Sequence, residues 1–179
     1  MIKYLCLLFI LFHSFAFSQK GKGIIYLNDG SVLNGYVKNI YSDSILGAKK
    51  IDINKIIIND EASKMTLVYE RVSTNKSERS GLLKVVFEGQ KAKLYSTSAF
   101  KKDKQGRFII PDRPKPYAYF AKKVNEKMAT LIAYNGGSRF KINGAQFFSD
   151  CPYLAHYIKK CKIKFIKKIT DFNYYEQNC

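Results

Sequence analysis

Cysteines 151 and 179 bracket two runs of helical periodicity, FFSDCPYLAHYIKKC and FIKKITDFNYYEQNC, and their placement constrains the fold more than any other feature. At about 100° per residue, Cys151, Leu154, Ile158 and Cys161 fall in a sector roughly 80° wide, with Lys159 and Lys160 outside it. In the second run, Phe165, Ile169, Phe172, Tyr175 and Cys179 recur at spacings of three or four. Asp150 can accept a hydrogen bond from the free amides of a helix start, and Pro152 suits a first turn, so a helix is predicted from there.

Within one continuous helix Cys151 and Cys161 would stand about 15 Å apart, beyond the roughly 7 Å Cα limit for a disulfide. Two helices folded back antiparallel instead bring Cys151 to Cys179 and leave Cys161 near the turn. A Cys151 nucleophile with His156 as base is disfavoured, because five residues place the two about 140° apart on a helix. A zinc site would need three or four ligands, and the sequence holds no C-x-x-C and one histidine, His156, after the leader.

That leader, MIKYLCLLFILFHSFAFS, has Lys3 before an uncharged apolar run and Ala16 and Ser18 before Gln19, the anatomy of a secretory signal peptide. Its apolar run is shorter than the roughly 20 residues needed to cross a bilayer, so cleavage after Ser18 is expected. The expected organisation is a signal peptide at 1–18 and a single α+β domain at 19–179. Export places the chain in the periplasm, the cell envelope or outside, where oxidation of cysteines is the default.

The body before the helices is read as antiparallel and β-rich from 23 to 134. GIIYLNDGSVLNGYV, 23–37, places Asn28, Asp29 and Gly30 between two β-prone runs, a hairpin signature. IDINKIII, 51–58, and MTLVYERV, 65–72, read as further strands with polar turn residues from Asn59 to Lys64. TNKSERSG, 74–81, has no apolar residue and is expected to be a solvated loop. LLKVVFEG satisfies both helical and strand periods, and its period does not decide between them. KAKLYST, then YAYFAKK and MATLIAY, read as a strand and a hairpin. Between them SAFKKDKQGRFIIPDRPKP, rich in proline and base, is an exposed excursion with a short hairpin at its tip. From 149 to 179 the reading is helical.

The full chain carries +17, and loss of Lys3 with the leader leaves +16. Such a surface attracts anions. Lys101, Lys102, Lys104, Arg107, Arg113 and Lys115, with Lys159, Lys160, Lys162 and Lys164, form a candidate basic patch for an anionic envelope polymer or lipopolysaccharide. The competing origin is composition: 26 of the 31 basic residues are Lys, whereas Arg is favoured for bidentate phosphate and base recognition. Export also separates the chain from most nucleic acid, so nucleic acid is not expected as a partner.

LNDGSVLNGYV, LYSTS, YAYFAKK, FFSDCPYL and the terminal YYEQNC together resemble a group of small exported proteins of Bacteroidetes-type bacteria. The paired DCP and terminal cysteine signatures are the most specific part of that resemblance, which implies no activity and no site residues. Cys161 and the proline-rich excursion depart from it.

No glycine-rich phosphate loop, H-E-x-x-H or serine elbow is present in the sequence. No catalytic residue, cofactor or metal is therefore expected. The leading reading is an exported envelope protein acting as a non-catalytic binding or structural module for an envelope protein or glycan. The alternatives are the electrostatic binder and an enzyme using carboxylates such as Asp52, Asp60 or Glu61. Tyr117, Tyr119, Tyr134, Tyr174 and Tyr175 are candidates for a stacking platform. Asp43-Ser44-Ile45 resembles an O-glycan acceptor.

Overall fold

The computed structural model describes residues 22–37, 43–60, 64–75, 77–98, 101–102, 108–109, 116–134, 139–160 and 168–179. The leader, Cys161 and most of the proline-rich excursion lie outside the described residues. The chain divides into two compact units, Met1–Thr66 and Leu67–Cys179.

In the first unit, β1 (Lys22–Leu27) pairs antiparallel with β2 (Val32–Tyr36) and with β5 (Ile53–Asp60). The β1–β2 turn uses Gly30 at φ 86°, and Leu27 N donates to Ser31 O at 2.9 Å. Positive φ is open to glycine at no steric cost, which is why the turn falls here. Asp29 Oδ1 accepts from Ser31 N at 2.9 Å and from its hydroxyl at 2.7 Å, closing the loop on itself. These two bonds also hold the Asp29 carboxyl below its ordinary pKa. Residues 51 and 52, expected to be strand, belong to a 3-10 turn, Lys50–Asp52, that joins the small hairpin β3 (Ser44–Ile45) and β4 (Ala48–Lys49) to β5. Ile25, Val37, Ile45, Ile53, Ile56 and Ile58 form the buried apolar set of this unit.

The second unit is a sheet in the order β12-β11-β8-β7-β6, built from β6 (Met65–Thr74), β7 (Ser77–Glu88), β8 (Ala92–Ser98), β11 (Pro116–Lys123) and β12 (Thr130–Tyr134). The β12–β11, β11–β8, β8–β7 and β7–β6 pairs are all antiparallel. The sheet curls until its two ends meet: Ala129 N donates to Ser73 O at 2.8 Å and Asn75 N to Ala129 O at 3.1 Å, around a parallel bridge from Thr74 to Ala129. Asn75 Oδ1 also accepts from Leu131 N. These contacts cover the first residues of the β12 edge, which an isolated sheet would expose. Val72, Leu83, Tyr95, Ala118, Phe120, Ala129 and Leu131 pack together as one buried cluster of this curled sheet, with Val85 and Tyr134 against it.

Three helices cover the other sheet face: α1 (Phe140–Phe147), α2 (Pro152–Lys160) and α3 (Lys168–Asn178). Phe140, Phe147, Phe148, Leu154, Ile158, Phe172 and Tyr175 pack there on Ala92, Leu94, Ala121, Ile132 and Ala133. The fold is α+β, and its C-terminal helices are joined by a disulfide from Cys151 to Cys179, with Cα atoms 5.6 Å apart.

Two sequence expectations need correction, and one reading left open is decided. Ser77 to Gly81, expected to be loop, is the first part of β7, with Thr74 opposite Ser77 and Val72 opposite Gly81. A polar run reports where side chains point, whereas the antiparallel ladder needs only backbone groups. The helical region begins at Phe140, not at 149. LLKVVFEG is strand, and its double periodicity has a cause: a register shift between Val85 and Phe87 lets Val85 face one cluster while Val86 and Phe87 face the other. In the excursion, β9 (Lys101–Lys102) and β10 (Phe108–Ile109) form the short hairpin, Phe108 opposite Lys102.

Candidate functional site

Two features of the second unit carry chemistry: the closure that fixes the C-terminal helix, and a groove between α1 and α2. The closure begins at Cys151, which is buried, while its partner Cys179 is exposed. Asp150, expected to cap the helix, makes two side-chain contacts. Its Oδ2 accepts from the Tyr175 hydroxyl at 2.6 Å, and its Oδ1 pairs with Lys123 Nζ at 2.8 Å. Lys123 also lies over the rings of Phe147 at 5.4 Å and Tyr175 at 5.9 Å. Burial pushes the Asp150 pKa up, but the bonds from Lys123 and Tyr175 and the Lys123 charge outweigh it and hold the carboxyl below its ordinary value. Burial and the Asp150 carboxylate together push the Tyr175 phenol up.

The next residue, Glu176, makes a second closure. Its carboxylate accepts from the backbone amides of Gln90, Lys91 and Ala92 at 2.9 to 3.0 Å, at the turn between β7 and β8. Lys91 Nζ in turn donates to Glu176 O at 3.0 Å. Successive amides converging on one point make an anion nest, and this one is filled by the protein's own side chain.

The groove has a volume of about 680 Å³ and is lined by Lys141, Ile142, Ala145, Gln146, Ser149, Ala155 and Lys159. On α1 and just beyond it, positions 141, 142, 145, 146 and 149 share one helical face; on α2, 155 and 159 are one turn apart. Ile142 is 70% exposed, so the lining includes apolar surface open to solvent. Neither α1 nor α2 contains an acidic residue. The charged side chains of the lining are Lys141 and Lys159. Sequence reading missed Lys141 and Ile142 because it missed α1 itself.

The structure disposes the other candidates differently. Lys159 and Lys160 are exposed at the end of α2, and Lys101 and Lys102 lie on β9; Lys104, Arg107, Arg113, Lys115, Lys162 and Lys164 lie outside the described residues. The five tyrosines do not form one platform. Tyr175 is buried, Tyr119 packs on the helix side, Tyr134 packs against the other cluster, and the Tyr117 side chain is outside the described set. Tyr174 instead stacks on Tyr153, centroids 5.8 Å apart.

His156 is exposed on α2, and Cys151 is committed to the disulfide, so the two do not form a nucleophile and base. Asp52 is exposed in the 3-10 turn, the Asp60 side chain and Glu61 lie outside the described residues, and Ser44 is exposed on β3. Among the described residues no cluster of three or more His, Cys, Asp or Glu could hold a metal ion.

A half-buried charged cluster sits on the sheet at β6, β7 and β8. Lys93 Nζ pairs with Glu70 at 3.3 Å and with Glu88, and the Tyr95 hydroxyl donates to Glu70 Oε2 at 3.3 Å. Burial lowers the Lys93 pKa, yet Glu88 and Glu70 outweigh that and raise it; burial and Glu70 raise Tyr95. Each group's shift strengthens its resting protonation state, which suits a cross-strand tie better than proton transfer.

Comparison with protein-family models, with curated proteins and with solved structures finds no match. The fold and the closure define the class directly: a disulfide-closed α+β protein whose helical layer covers a curled antiparallel sheet. Among the described residues no helix is long and apolar enough to cross a membrane.

Proposed function

We propose that the protein is exported to the cell envelope and works there as a non-catalytic binding module that presents the α1–α2 surface to a partner. The observation that carries this reading is the groove, whose lining combines Ala145, Ala155 and the exposed Ile142 with Lys141 and Lys159. Concave, partly apolar surfaces with a few placed polar groups are the usual form of binding sites. The lining holds no carboxylate, histidine or cysteine beside the lysines, which favours recognition over acid–base chemistry. The disulfide agrees with an oxidising compartment, and the leader sequence supplies the route to it.

The test is retention of envelope material on the immobilised, oxidised chain from Gln19 onward, compared with a Lys141→Glu, Ile142→Ser variant. Selective retention by the native surface supports the reading. Equal retention by both proteins, or none by either, overturns it. Lys159 and Lys160, exposed at the end of α2, support the electrostatic variant of this reading, in which retention falls steeply as salt rises.

A further inference from the structure

We infer that the α1–α2 groove takes a single anionic amphiphile, an acyl or alkyl chain ending in a phosphate or carboxylate, with the chain on the apolar floor and the head between Lys141 and Lys159. This rests on the binding-module reading and names the class of ligand. Four observations combine. The lining includes Ala145 and Ala155, small residues that leave room, and the aliphatic side chain of Ile142, mostly in solvent. An apolar ligand chain laid there would cover that exposed surface.

The rim is cationic on both sides. Lys141 comes from α1 and Lys159 from α2, and the single acid in the 139–160 segment, Asp150, is held by Tyr175 and Lys123. A neutral ligand would leave both charges without use, whereas an anion would meet both. Gln146 and Ser149 add hydrogen-bonding groups to the lining. The volume of about 680 Å³ lies within the range of roughly 300–1,000 Å³ common for small-molecule sites.

The competing anionic ligands are recognisably different. Inorganic phosphate has no chain for the apolar floor, a bilayer surface is too broad to enter a concave groove, and a soluble polyanion would engage lysines without Ile142. The opposite wall of α2, where Tyr153 stacks on Tyr174, faces away from the groove and is not required.

The experiment uses the oxidised chain from Gln19 with labelled Ala and Ile methyl groups, titrated with dodecyl phosphate below its micelle concentration. Dodecyl maltoside, inorganic phosphate, anionic phospholipid vesicles and dextran sulfate serve as comparisons. The expected result is saturable shifts at the Ala145, Ala155 and Ile142 methyls with dodecyl phosphate, and affinity reduced about tenfold or more by reversing both Lys141 and Lys159 to Glu. Ile142→Ser, at an exposed position that does not threaten folding, is expected to weaken binding several-fold without changing its salt dependence.

Equal shifts with dodecyl maltoside would overturn the role of charge, and equal shifts with phosphate would reduce the site to an ion contact. Binding to vesicles or dextran sulfate with those methyls unmoved would overturn the groove as the site. Loss of the dodecyl phosphate result while envelope material is still retained in a Lys141- and Ile142-dependent way would sink this inference and leave the module reading standing. Loss of both results would sink both.

Discussion

The hydroxyl of Tyr175 on the last helix donates to the carboxylate of Asp150 at 2.6 Å, one residue before the disulfide cysteine that holds the same helix. Covalent and hydrogen-bonded ties thus converge at the start of α2. Each has a different dependence on conditions, which makes them separable by experiment.

Reduction of Cys151–Cys179 tests the covalent tie. The bond spans 28 residues, and on the chain-entropy model a loop of that length stabilises by about 3.5 kcal/mol. A Cys151→Ala, Cys179→Ala variant is expected to lose that order of stability in denaturant unfolding while keeping its β-sheet signal. A loss below about 1 kcal/mol would mean that the helical layer is held by packing alone.

The hydrogen-bonded tie is expected to show in pH dependence. The folded pKa of Asp150 lies below its unfolded value. Its contribution to stability is therefore fully present above about pH 4, the ordinary range of a carboxyl, and is lost as pH falls through the folded pKa. Asp150→Asn should flatten that acid limb. Because the Asp150 side chain is 49% exposed, solvent screening keeps the ion pair with Lys123 weak. Most of the coupling, about 1 kcal/mol, should instead appear in a double-mutant cycle between Asp150→Asn and Tyr175→Phe.

Glu176 is the next tie to remove. Its carboxylate satisfies the amides of Gln90, Lys91 and Ala92, and hydrogen bonds to a charged group are worth about 1.5–3 kcal/mol. Glu176→Ala is expected to cost about 2 kcal/mol and to speed hydrogen exchange at amides 90 to 92 ahead of the rest of β8. Unchanged exchange there would show that the turn holds itself, through bonds such as Gly89 N to Ala92 O at 3.0 Å.

What the sequence disclosed depended on whether one period or two had to be read. Strands β1, β2, β6 and β8 carry clean signals, and the Cys151–Cys179 pairing followed from helical spacing plus a length limit. The strand LLKVVFEG resisted because a bulge turns Val86 and Phe87 to the face opposite Val85. Closure of the sheet by Ala129 on Ser73 and Asn75 was not legible, since it rests on backbone groups far apart in sequence. The groove was missed with its helix. In FKINGAQF the buried positions Phe140, Gly144, Ala145 and Phe147 include a glycine and an alanine, so the apolar stripe is faint.

That glycine offers the sharpest test of packing. A Cβ built on Gly144 would come within 2.6 Å of Phe140 Cε2 and 2.8 Å of its Cδ2, and Phe140 is itself buried in the cluster beneath the helices. Helix propensity alone predicts that Gly144→Ala stabilises α1 by up to about 1 kcal/mol. Overpacking predicts the reverse, a cost of about 1–3 kcal/mol, because the ring must leave its place among side chains that cannot yield freely. The steric effect is expected to win, giving a net loss of about 1 kcal/mol and a lower midpoint in thermal unfolding. Pairing the change with Phe140→Leu should recover part of the loss, since the shorter side chain vacates the space the new methyl needs. A stabilised single variant would show that Phe140 moves freely, and that α1 is less tightly seated than its buried ring implies.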